Sequence, residues 1–131
     1  MTWFDVKLSA LQKMFAMSGD NVGSLDKNDI IVRDDVTVPY LAAMPFACNE
    51  ALSLLYDKRD NITLATPDDY EFQIDETGAE LLPLYIASQL YKDEDVGMAA
   101  MYRNEFEIGR EQFLRSGKSD IAAAKVVRLR D

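Results

Sequence analysis

The stretch LLPLYIASQLY at 81–91 constrains this chain more than any other, because its apolar residues leave almost no polar side. Wound as a helix, Leu81, Leu82, Leu84, Tyr85, Ile86, Leu90 and Tyr91 wrap nearly the whole circumference, which marks a helix buried on most sides. Such a helix has to be surrounded. The chain has 131 residues, one domain's worth and enough to bury a core around it. No apolar run approaches the about 20 residues needed to span a membrane.

The remaining pattern is helical on both sides of a short alternating stretch. Thr2, with Asp5 three residues on, forms a rough capping box for a first helix. Phe4, Leu8, Leu11 and Phe15 then make one helical stripe, and Gly19 ends it. Residues 18–38 are a polar connection around Ile30-Ile31-Val32, which reads as a strand or a packed loop. A link of that length in so small a domain points to mobility or to a partner-facing role. A second helix starts near Pro39, a residue suited to a first helical position. Leu41, Met44, Cys48, Ala51, Leu52 and Leu55 form its apolar face, and DKRDN at 57–61 closes it. Pro45 inside that pattern predicts a kink or a restart.

The period then changes to two. Ile62, Leu64 and Thr66 alternate with smaller or polar residues, as do Tyr70, Phe72 and Ile74, and TPDD between them has turn chemistry. This predicts a β-hairpin at 62–75, which would need the helices or a neighbouring chain for support. Thr77 and Glu80 suggest a capping box for the third helix, the apolar one. Asp93, Glu94 and Asp95 sit where negative charge favours the start of a fourth. Ala99, Tyr102, Phe106, Gly109 and Phe113 line that helix, which should run to Arg115 and stop at Gly117. The expected fold class is therefore mainly α. It is a small bundle of about four helices with one β-hairpin inserted between the second and third. That domain covers 1–117, and 118–131 forms a basic C-terminal tail or short helix.

The chain contains no histidine and one cysteine, Cys48. Ser–His and Cys–His nucleophile pairs and His-ligated zinc are thereby excluded, as are an intrachain disulfide and a thiolate cluster. A lone cysteine suggests a reducing compartment, and MTWFDVKLSALQKMF carries charges that do not fit a signal peptide. A soluble, intracellular protein is expected. Residues 1–109 hold 20 acids against 8 bases, whereas 110–131 hold three acids against six bases. The body should repel nucleic acid, and only the tail can meet phosphate favourably.

The carboxylates do not assemble a recognisable site. DKNDIIVRDDVT from Asp26 lacks the sixth-position Gly and twelfth-position Glu of a calcium loop. Asp34-Asp35 and Asp68-Asp69 are sequence neighbours that rarely aim at one point, and solvated or capping roles suit them better. A carboxylate enzyme would need distant acids, such as Glu50 and Glu80, to converge. GKS at 117–119 lacks the earlier Gly of a phosphate-binding loop and follows a helix. Cys48 reads as a small buried hydrophobe. No catalytic, cofactor-binding or metal-ligating residue is assigned, and no cofactor is expected.

Tyr85, Tyr91 and Tyr102, with Met98, Met101 and Arg103, suit the rim of a core and a subunit interface about equally. A helix too apolar for one face of a small monomer tips the balance towards an interface with a partner or another subunit.

VPYLAAMPFACNEALSLL (38–55), then a polar break, a hairpin and LLPLYIASQLYKDEDVGMAAMYRNEFE (81–107), resembles the head–tail connector, or adaptor, proteins of tailed bacteriophages and prophages. TWFDVKLSALQKMF resembles their first helix, so the likeness covers about 1–16 and 38–113. It is carried most by the YIASQLYKDED joint and the Y-x-x-E-F after it. The resemblance implies a non-enzymatic virion protein of the neck, assembled from the host cytoplasm as a dodecameric ring beneath the portal. Its implied partners are other copies of itself, the portal protein and the next stopper or tail-completion protein. DNA would pass through the ring without sequence-specific binding, and no membrane is involved. The long 18–38 connection and the basic tail depart from the shorter members. The tail residues Lys125, Arg128 and Arg130 are candidates for docking to the portal surface or DNA. The alternative reading is a helical interaction module of another kind, such as a dimeric regulator with one self-contained apolar seam.

Overall fold

The computed structural model describes residues 1–18, 38–56 and 60–117. Among these residues the protein is mainly helical, with four helices of ten residues or more and one single-turn helix. They are α1 (Trp3–Ser18), α2 (Val38–Leu55), the single turn α3 (Glu76–Ala79), α4 (Leu82–Tyr91) and α5 (Val96–Arg115).

The helix ends follow local chemistry. Thr2 and Asp5 exchange the two bonds of a capping box at the start of α1: the Thr2 N–H donates to Asp5 Oδ2 at 3.0 Å, and the Asp5 N–H to Thr2 Oγ1 at 3.1 Å. Asp95 caps α5 by accepting from the Met98 N–H at 3.1 Å. Gly117 follows the last turn of α5 at φ +80°, a left-handed conformation that costs a glycine nothing and most other residues about 1 kcal/mol or more. The expected Thr77–Glu80 box is not formed. Asp75 is the cap instead, accepting from the Thr77 N–H at 3.0 Å to start α3, and α4 begins separately with Pro83 in its first turn. Pro45 causes no restart: α2 is one helix through it.

Helix α4 is the centre of the packing and lies against α1, α2 and α5. Leu82, Ile86 and Ala87 are wholly buried, and Tyr85, Ser88 and Tyr91 nearly so. The surround that its sequence demands is thus supplied by the chain's own helices. Around it stand Val6, Leu11 and Met14 of α1, Met44, Leu52 and Leu55 of α2, and Phe106 and Phe113 of α5. Each fully buried aliphatic or aromatic residue contributes about 1.5–3 kcal/mol by removal from water. The Arg110 Nε donates to the Leu54 carbonyl at 2.7 Å and ties α5 to the end of α2.

The expected β-hairpin at 62–75 is not present, and no β-strand occurs among the described residues. The alternation itself is partly real, since Phe72 and Ile74 are buried while Glu71 and Gln73 are exposed. What differs is the hydrogen-bonding partner. The Trp3 N–H donates to the Tyr70 carbonyl at 2.9 Å and the Phe72 N–H to the Met1 carbonyl at 3.2 Å, forming an isolated antiparallel bridge between Thr2 and Glu71. At the other end, Asn49 on α2 does the work of a neighbouring strand. Its Oδ1 accepts the Ile62 N–H at 2.8 Å and its Nδ2 donates to the Ile62 carbonyl at 2.9 Å. Between these anchors are two tight turns, closed by Thr66 N–H to the Thr63 carbonyl and Tyr70 N–H to the Pro67 carbonyl, each at 3.1 Å. The two halves are satisfied by different parts of the helical body, so they have no need to pair with each other.

The 18–38 connection beyond Ser18, the DKR stretch at 57–59 and the tail with Lys125, Arg128 and Arg130 lie outside the described residues.

Candidate functional site

The three tyrosines of the expected interface are placed inside the chain's own core. Tyr85, Tyr91 and Tyr102 are 4%, 7% and 5% exposed, so the burial that their sequence context demands is met within one chain. The Tyr91 and Tyr102 rings stack with centroids 6.2 Å apart. Their hydroxyls donate to the Met14 and Lys13 carbonyls respectively, the latter at 3.1 Å, fastening the α4–α5 pair to the end of α1. Burial, with the charge of Glu105 adding to it, pushes the Tyr102 hydroxyl above its usual pKa. Tyr85 packs edge-on against Phe106 with ring centroids 5.0 Å apart, and the Arg103 guanidinium lies over the Tyr85 ring, 5.0 Å from its centroid. Arg103 pairs with Glu107 at 2.8 Å. Met98 is half-buried and Met101 exposed. Met101 is therefore the exposed member of the set, with Met98 and Arg103 half-buried.

The structure also contains a polar knot that the sequence reading passed over as the end of a charged stretch. Asp60 is 5% exposed. Its Oδ2 accepts from the Tyr56 hydroxyl and from the Gln73 N–H, each at 3.2 Å, and its Oδ1 from the Tyr70 hydroxyl. Burial, the hydrogen bond and the carboxylate charge together push Tyr70 up to about 12. Tyr56 is raised for the same reasons, with burial the largest. Burial likewise pushes the Cys48 thiol well above its usual value, so that it is an inert core group rather than a nucleophile. No residue spacing announces this knot, because its members come from the end of α2 and from both ends of the loop.

The acids do not converge. Glu50 and Glu80 are exposed, and among the described residues no group of three or more His, Cys, Asp or Glu is placed to hold a metal ion. Asp68 pairs with Lys7 at 2.6 Å, and Glu94 accepts from the Tyr40 hydroxyl at 2.8 Å. Among the described residues no helix is long and apolar enough to cross a membrane.

What the body offers to a partner is a set of large apolar side chains held in water. Phe46 is 76% exposed, Leu64 74% and Val96 74%, with Ile108, Met101 and Leu114 between 40% and 53%. Two of them line recesses, whereas Ile108 and Leu114 stand further along α5. Leu64 shares a recess with Leu41, Pro45 and Asp68 beside the first turns of α1, and Phe46 is the next residue after Pro45. Val96 lines a shallow groove with Ser88, Ala99 and Ala100, where α4 ends and α5 begins. Lys92 and Arg103 supply its charge. Compared with models of protein families, with curated proteins and with solved structures, the chain matches none.

Proposed function

We propose that this chain is a structural subunit of the head–tail connector kind, joining a ring at the portal vertex that links a DNA-filled head to its tail and extends the DNA channel. The observation that carries the reading is a helical body whose core is closed within one chain, yet which leaves large apolar side chains exposed, among them Leu64 at one recess and Val96 at another. A closed ring needs two different complementary faces on every subunit, because each copy meets its neighbours heterologously. The resemblance of 1–16 and 38–113 to phage connectors supports the same reading. So does the acid-rich body, since a negative channel wall does not retain passing phosphates. The portal protein and a stopper or tail-completion protein are the partners this role requires, and the basic tail suits an acidic portal surface.

Negative-stain electron microscopy of the protein mixed with portal-bearing, DNA-packaged heads tests the proposal. An added ring-shaped layer at the portal vertex is the expected result. Bare portals at saturating protein would overturn it in favour of a helical interaction module with a different partner.

A further inference from the structure

We draw no further inference here: the strongest candidate, the shallow groove lined by Ser88, Val96, Ala99 and Ala100 where α4 ends and α5 begins, carries nothing because nothing in the structure shows what covers it.

Discussion

The α4–α5 pair and the 60–75 loop both carry conspicuous apolar patterns, yet only the first formed the element its pattern implies. In α4 and α5 the backbone bonds are made inside each helix, and side-chain pattern decides only which face is buried. Leu82, Ile86 and Phe106 accordingly reach zero exposure where their spacing puts them. In the loop the alternation of Phe72 and Ile74 identifies the buried face equally well, but an extended segment must find hydrogen-bond partners elsewhere. Asn49 and the first residues of the chain supply them. Apolar period reports burial; it does not report who accepts the N–H.

That contrast can be broken at several points. The largest effect should come from the helical pair. Phe106→Ala removes a wholly buried ring packed on Tyr85, and urea unfolding should show a loss of about 3–5 kcal/mol. A loss under about 1 kcal/mol would mean that α5 is not integral to the core. Next is the loop's anchor. Asn49→Ala leaves the N–H and carbonyl of the buried Ile62 without their partner, at a cost of roughly 1–3 kcal/mol. Hydrogen exchange should accelerate first at Ile62 while amides within α4 remain protected. Equal acceleration in both would show that loop and helices unfold as one unit.

A smaller effect concerns the Asp60 knot and is read by pH. Tyr70 has its folded pKa raised from 10.0 to about 12. The protonated phenol is the form the fold prefers, so its stabilisation is complete below pH 10 and is lost as pH rises towards about 12. Thermal unfolding across that range should show the melting temperature falling in wild type. The fall should be shallower in Tyr70→Phe, and identical profiles would refute the knot's contribution. The smallest effect is expected at the loop's tip. Leu64→Ser alters a side chain that is 74% exposed, so stability should stay within about 0.5 kcal/mol of wild type. A larger loss in urea would place Leu64 in the fold rather than on its surface.

Much of this architecture was legible. The Thr2–Asp5 cap, the start of α5 at the Asp93–Asp95 acids and its end at Gly117 follow from local chemistry, because caps and left-handed glycines act within a few residues of sequence. The buried stripe Tyr102, Phe106 and Phe113 was readable for the same reason. Legibility failed where groups distant in sequence meet. Asp60 looks like part of a charged surface stretch until Tyr56, Tyr70 and the Gln73 N–H enclose it. Tyr85, Tyr91 and Tyr102 look equally suited to a rim or an interface until α1 is laid against them.

The sequence by itself determined that a nearly all-apolar helix had to be enclosed, and where the long helices would lie. It also left this chain without histidine-based chemistry and with its basic charge gathered after residue 110. Only the tertiary structure decided what does the enclosing. The covering of α4 by α1, α2 and α5, the clasp of Ile62 by Asn49 and the outward setting of Leu64 depend on long-range geometry. Burial is a demand that a side chain makes wherever it sits, whereas a hydrogen-bond partner or an empty groove exists only once the helices are in place.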